Sequence, residues 1–333
     1  MSETLAVGIV GTGTLGTRLG EQFADVSGTN VATIADVSPE QLRSAGEALR
    51  VDAGARYDSL DEMLTSEHLD ALVIATPHTL HHEQVVKGLE AGLHVLCEKP
   101  LATDMADARD LVKRSENSDQ VLMVGYQRHL DPAYVHARDE LDDAEPAFVT
   151  AEISQNWYET QRGTWRTDPA LSGGGQLYDT GSHLVDAVLW TSGLDPVSVS
   201  AEMVFADAAE GVDVQAVLNV EFESDAVASI SVSGDSPRVR EHIHFWGDDG
   251  GVYIEGENWT PRETELVDPD GQREYPVSDR DQTRTKAQAF VDSVRNGTEP
   301  PATAADAYTV TAVVEAAYES ARTGERIDVD TYL

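Results

Sequence analysis

A chain of 333 residues is long for a single hydrophobic core, so two domains are expected. Sixty acidic residues against twenty-three basic ones give a formal charge of −37, a field that counts against nucleic acid and anionic membranes as partners. The hydrophobic share of 41% counts against wholesale disorder.

The first 125 residues alternate short apolar runs with amphipathic stretches. Leu5–Val10 reads as a strand ending at Gly11, followed by a helix to about Val26. Strands are then expected at Val31–Ala35, Ala55–Tyr57, Asp70–Ala75, Leu93–Cys97 and Val121–Gly125. Helices are expected between them at Gln41–Leu49, Ser59–Leu64, His82–Ala91 and Asp104–Glu116. This βαβ order implies a doubly wound parallel sheet with right-handed crossovers. Beyond it, Phe148–Ser154, Val197–Val204, Val212–Phe222, Ala226–Val232, Val239–Trp246, Gly251–Glu255 and Glu263–Val267 read as strands, several alternating apolar with polar residues. That alternation suits a largely antiparallel sheet with one open face. Helices follow at Thr283–Arg295 and Ala304–Arg322. The expected architecture is an α/β Rossmann domain over residues 1–126 and an α+β domain over 127–333.

Three further features bear on the environment. Only four of the basic residues are lysine (Lys87, Lys99, Lys113 and Lys286), and the acid excess is spread along the whole chain. This is the composition expected in a cytosol of high salt, where charges are screened within about 3 Å at 1 M. A lone cysteine, Cys97, fits a reducing compartment. Neither a signal peptide nor an apolar run of membrane-spanning length is read in the chain, so a cytoplasmic location is expected.

Gly11-Thr12-Gly13-Thr14-Leu15-Gly16 closes a strand and opens a helix. Glycines at this spacing allow a tight turn, a close backbone approach to a pyrophosphate and close helix–strand packing, with the phosphates on unpaired helix N–H groups. Asp36, at the end of the second strand, can accept bonds from ribose hydroxyls and repels a 2′-phosphate, which favours NAD over NADP. Two more segments follow strands at the edge where open α/β sheets bind ligands: Thr76-Pro77-His78 with His81, and Glu98-Lys99-Pro100. A third, Gly173 to Asp186, carries Asp179 and His183 four residues apart, on one face of an expected helix.

Together with Trp165-Arg166, these motifs resemble those of the glucose–fructose oxidoreductase/inositol dehydrogenase/MocA family in order and spacing, essentially from Leu5 to Val329. The resemblance implies Lys99, Asp179 and His183 as the catalytic set. It also implies that His81 approaches the nicotinamide ribose and that the open sheet makes contacts between copies, as a homodimer or homotetramer. The chemistry agrees. A carboxylate beside an imidazole fixes its tautomer and stabilises its charged form, so His183 can take a hydroxyl proton while the alcohol carbon gives hydride to the nicotinamide. Lys99 can steady the developing alkoxide.

The expected cofactor contacts are Gly11, Gly13, Thr14, Leu15, Gly16, Asp36, Thr76, Pro77, His78, His81 and Glu98. Tyr126, Arg128, Trp165, Arg166 and Asp186 are expected to bind substrate, since aromatic faces and Arg forks suit polyhydroxylated ligands. His242 and His244 share a strand face without a third ligand at a convincing spacing, so no metal site is expected. The leading expectation is an NAD-dependent dehydrogenase of a sugar, sugar acid or cyclic polyol. The alternatives are a redox-neutral NAD-using glycosidase or epimerase, and a non-catalytic NAD-dependent sensor.

Overall fold

The computed structural model describes residues 4–142, 144, 146–206, 211–276 and 283–333. The chain divides into two compact units. One runs to Ala102, resumes over Ala106–Gly125 and takes in Arg284–Ala305; the other holds Thr103–Met105, Tyr126–Thr283 and Asp306–Leu333.

In the first unit β1 (Leu5–Val10), α1 (Thr14–Ala24), β2 (Thr29–Ala35), α2 (Pro39–Ala48), β3 (Arg56–Tyr57), α3 (Leu60–Ser66), β4 (Ala71–Ile74), α4 (His81–Glu90), β5 (His94–Cys97), α5 (Met105–Glu116) and β6 (Leu122–Val124) succeed one another. All described pairings of its six strands are parallel, in the order β3-β2-β1-β4-β5-β6. The central strand β4 is buried throughout, because helices covering both faces of a parallel sheet leave no room for polar alternation. Ser38 and Ser59 cap α2 and α3 by accepting backbone N–H bonds.

The second unit carries α6 (Pro132–Leu141), β7 (Phe148–Ser154), α7 (Trp157–Gln161), α8 (Pro169–Ser172), α9 (Ser182–Ser192), β8 (Pro196–Phe205), β9 (Asp213–Phe222), β10 (Val227–Ser233), β11 (Arg240–Gly247), β12 (Gly250–Glu257), β13 (Glu263–Val267) and β14 (Arg273–Glu274). After α10 (Lys286–Asn296), which lies in the first unit, α11 (Ala304–Thr323) and β15 (Ile327–Asp328) complete the chain. The nine-stranded sheet has the order β14-β13-β12-β11-β7-β10-β9-β8-β15. It is antiparallel except for the β7–β10 pair. β10 and β11 alternate buried and partly exposed residues, so one face is covered and the other is open.

Two elements depart from the sequence reading. α6 was not foreseen: Asp131 caps it with Pro132 in its first turn, a clear start signal inside a stretch of weak periodicity. Arg284–Ala305, assigned from sequence to the second domain, packs with the first unit. The docking is specific. Thr285 and Gln288 form a capping box, the buried Phe290 ring meets Phe23 edge-on at 5.9 Å, and Arg295 donates to the carbonyls of Ser27 and Gly28.

A buried ion network stabilises the second unit. Glu241 accepts from Arg128 Nε at 2.7 Å, from the Tyr134 hydroxyl at 2.6 Å and from Arg262. Burial works against the Glu241 charge, but the two guanidiniums and the phenol outweigh it and hold the carboxyl down at about 2. Its ordinary value is 4.5, so the stabilisation is complete above that pH and is lost as the pH falls through 2. The loss should come to about 3 kcal/mol. Denaturant unfolding of wild type and Glu241→Gln across that window should therefore give a stability gap that narrows with acid; a constant gap would contradict the pairing. Phe290→Ala should cost about 3–5 kcal/mol in the same assay, and a loss below about 1 kcal/mol would show that α10 is not part of the first unit's core.

Candidate active site

The loops after β1, β4 and β5 leave the parallel sheet at its carboxyl edge, and all three motifs of the first unit lie there. Gly16 packs so tightly under the first loop that a Cβ would stand 1.9 Å from the Gly11 carbonyl oxygen. Above Gly13 there is open space, with nothing within 4 Å of where a Cβ would be. Gly13 is also the N-cap of α1 and brings no side chain to it, so that helix start offers a cradle for an anion. Asp36 fixes the loop: it accepts from the Thr12 N–H at 2.6 Å, the Thr12 hydroxyl at 3.2 Å and the Ser38 N–H at 2.9 Å. A carboxylate has about four acceptor sites, so capacity remains for ribose hydroxyls. The next residue, Val37, is 88% exposed and offers no cation for a 2′-phosphate. These features fit a dinucleotide.

His81 has a different place from the one expected. It is fully buried, with Nδ1 2.7 Å from the Pro100 carbonyl oxygen and Nε2 3.0 Å from that of Thr76. A neutral imidazole carries one N–H and donates to one of these carbonyls, and the ring packs between the Thr76-Pro77 turn and the Lys99-Pro100 turn. Burial lowers its proton affinity, against the effect of the two carbonyls. The expected ribose contact gives way to a structural clasp. His78 is buried with its ring 5.8 Å from that of His81. Thr76 Oγ1 donates to Gln84 Oε1 at 2.6 Å, tying the turn to α4. Glu98 and Lys99 follow β5, both buried, and Glu98 is paired with Lys286 of α10.

In the second unit the segment before α9 is not a plain helix. Leu177–Gly181 forms a π-helical turn, so Asp179 and His183 are not set by the regular α-helical i,i+4 geometry expected. The glycine-rich run reaches this turn by lying against β9. The Asp213 carboxylate accepts the N–H groups of Gly175 and Leu177 at 2.8 Å each, together with the Tyr318 hydroxyl. A Cβ on Gly175 would stand 2.1 Å from the Asp213 carbonyl oxygen, which is why that residue is glycine. Asp179 Oδ2 accepts from Trp157 Nε1 at 2.6 Å and lies 3.2 Å from Arg166 Nε. The Arg166 guanidinium in turn sits 4.3 Å above the Trp165 ring. Sequence reasoning misses Trp157, because nothing in its spacing singles it out.

His183 meets the Tyr126 ring edge-on at 5.9 Å. Tyr126 is buried, its hydroxyl has no hydrogen-bond partner among the described residues, and burial with the Asp186 charge pushes the phenol well above its ordinary range. It thus remains a neutral donor. Tyr126 stacks on His129, which bonds Asp186 Oδ1 at 2.9 Å; both members of that pair are buried. Burial raises the Asp186 carboxyl, and His129 works against the rise. Two expected substrate contacts are corrected here. Arg128 is held inside by Glu241, and Asp186 is buried on His129, so both side chains serve the interior of the unit. Tyr126, Trp165 and Arg166 remain as candidates. His242 and His244 lie 4.8 Å apart on the open sheet face, and among the described residues no group of three or more His, Cys, Asp or Glu could hold a metal. No described helix is long and apolar enough to cross a membrane.

Lys99 belongs to the first unit, whereas Asp179 and His183 belong to the second. Within the first unit the structure groups the glycine loop, Asp36, the Thr76 turn, His81, Glu98 and Lys99. Within the second it groups Asp179 with Trp157 and Arg166, and His183 with Tyr126.

Comparison with known proteins gives a consistent result. Residues 5–126 match the family model described as an oxidoreductase family with an NAD-binding Rossmann fold, and residues 144–253 match the GFO/IDH/MocA C-terminal domain. D-xylose 1-dehydrogenase (NADP(+)) of Haloarcula marismortui is 26% identical over 86% of this chain and 82% of its own. The 1,5-anhydro-D-fructose reductase of Ensifer adhaerens is 26% identical over 98% of this chain and 99% of its own. The crystal structure of GenD2 from gentamicin A biosynthesis, in complex with NAD, superposes with a TM-score of 0.84 at 25% identity, covering 98% of this chain and 97% of that one. A Rossmann sheet carrying the glycine loop, a nine-stranded second sheet and two matching family models lead to one conclusion: the chain belongs to the GFO/IDH/MocA family of oxidoreductases.

Proposed function

We propose that this protein oxidises a secondary alcohol of a sugar, sugar acid or cyclic polyol, with NAD as the hydride acceptor. The observation that carries the reading is the buried Asp179 carboxylate, held by Arg166 and Trp157 one π turn before His183. An anion so placed favours the protonated imidazole, so His183 takes the hydroxyl proton as the C–H bond breaks. Lys99 holds the substrate oxygen and steadies its negative charge. The buried Tyr126 hydroxyl donates to a substrate oxygen. Bound NAD would lie on the Gly11–Gly16 loop with its ribose at Asp36, and it supplies the acceptor carbon for the hydride. Asp36 followed by Val37 supports NAD over NADP, although the Haloarcula relative bears an NADP name.

The decisive assay follows absorbance at 340 nm in about 2 M KCl, where surface charge is strongly screened. Sugars, sugar acids and inositols are offered with NAD and then with NADP. Turnover with NAD on one ligand class is expected. Lys99→Met should lower kcat by about a hundredfold or more while NAD still binds. A Lys99→Met enzyme as active as wild type removes lysine from the mechanism. NAD binding without turnover on any ligand favours the redox-neutral or sensor alternative.

The open sheet face supports a homo-oligomer. Phe148 stacks on Trp246 at 5.6 Å, Trp246 donates to the Tyr253 hydroxyl, and Phe148, Val217 and Val227 are exposed beside them. Light scattering in the same salt should give the mass of a dimer or tetramer, and a monomer mass would refute the assignment of that face.

A further inference from the structure

Lysine is scarce in this chain, and its four copies are used very differently. Lys87 lies near the surface, between Asp61 and Glu83. Lys286 is only 7% exposed, and its ammonium is bound to Oε1 of Glu98, itself only 3% exposed and 188 positions away in sequence. It occupies the first turn of α10, immediately after the Thr285 cap. The positive end of a helix dipole disfavours a cation there, and ordering so long a side chain costs conformational entropy. Helix stability therefore does not explain the residue. What it reaches does. The Glu98 carboxylate precedes Lys99, and its other oxygen, Oε2, is closed off by Gly125, where a Cβ would come within 2.7 Å. His81, Glu98, Lys99 and Lys286 are all buried, so the charges at this turn are held away from bulk water.

We propose that Lys286 is a positioning residue, which fixes the Glu98 carboxylate and cancels its charge beside Lys99. The inference rests on the reading of Lys99 as the cation that steadies the substrate oxygen. With Lys286 removed, an uncompensated carboxylate beside Lys99 holds the lysine proton more tightly. With Glu98 removed, the remaining ammonium loosens that proton. The two substitutions thus act in opposite directions, which a loss of packing would not produce.

The test is the pH profile of kcat/KM for alcohol oxidation in Lys286→Met, Lys286→Arg, Glu98→Gln and the double variant Lys286→Met/Glu98→Gln. The alkaline limb, where the Lys99 ammonium is lost, should move up by about one pH unit in Lys286→Met and down in Glu98→Gln. It should return toward wild type in Lys286→Arg and in the double variant. A second readout needs no turnover. Carbon-13-labelled lysine gives four side-chain signals from this chain, assignable by single Lys→Arg changes, and the Lys99 midpoint should move in the same two directions. Unchanged limbs and an unmoved Lys99 midpoint in Lys286→Met overturn the proposal. Should Lys286→Met fail to fold, Glu98→Gln and the double variant decide the matter: shifts of equal size and sign in both would overturn it. An active Lys99→Met enzyme sinks the reading of Lys99 as the cation on the substrate oxygen, whereas the lysine titration still decides whether Lys286 sets the charge beside it.

Discussion

Burying a charge without a partner is among the costliest things a fold can do, and this chain, with sixty acids to twenty-three bases, meets that constraint repeatedly. Each buried carboxylate discussed above has been given a specific partner. Glu241 has Arg128, Arg262 and Tyr134. Asp179 has Arg166 and Trp157, Asp186 has His129, and Glu98 has Lys286. Asp213 alone relies on backbone N–H groups and a phenol. Several of these pairs join elements far apart in sequence, and in meeting the electrostatic requirement they also fix which segments lie together.

The same pairs separate scaffold from chemistry. The Asp213 bonds seat the glycine-rich run on β9, so that the π turn begins where it does and Asp179 faces Trp157 and Arg166. The buried His81 ring packs between the turn after β4 and the one after β5 and donates to a carbonyl there. Neither residue needs to touch a ligand to matter, because loops at the carboxyl edge of a parallel sheet have no ladder of their own to hold them. An arginine fork at position 128 looks like a substrate contact on paper; in the fold it is one of two cations that keep Glu241 ionised.

Much of the fold was legible because local pattern and global architecture agree. The apolar runs of β1, β4 and β5 are continuous, as strands buried on both faces must be, and the period-two alternation of β10 and β11 marks a sheet with one open face. α6 escaped because its apolar residues are small or aromatic and its start signal lies in a single Asp-Pro pair. β14 and β15 have two residues each, too short to carry any period. The π turn was hidden for a different reason: an insertion into the helical hydrogen-bond ladder leaves no mark in residue spacing.

From sequence alone came the parallel-then-mixed architecture, the glycine loop with its acidic partner Asp36, and the membership of Lys99, Asp179 and His183 in motif segments. These depend on local periodicity, on turn chemistry and on residue types at short spacing, all of which are written along the chain. Tertiary structure alone decided that α10 packs with the first unit, that Lys286 holds Glu98, that Trp157 and Arg166 flank Asp179, and that Arg128 and Asp186 face inward. Pairings across 188, 113 or 57 positions depend on which surfaces bury one another, and no window along a single sequence contains that information.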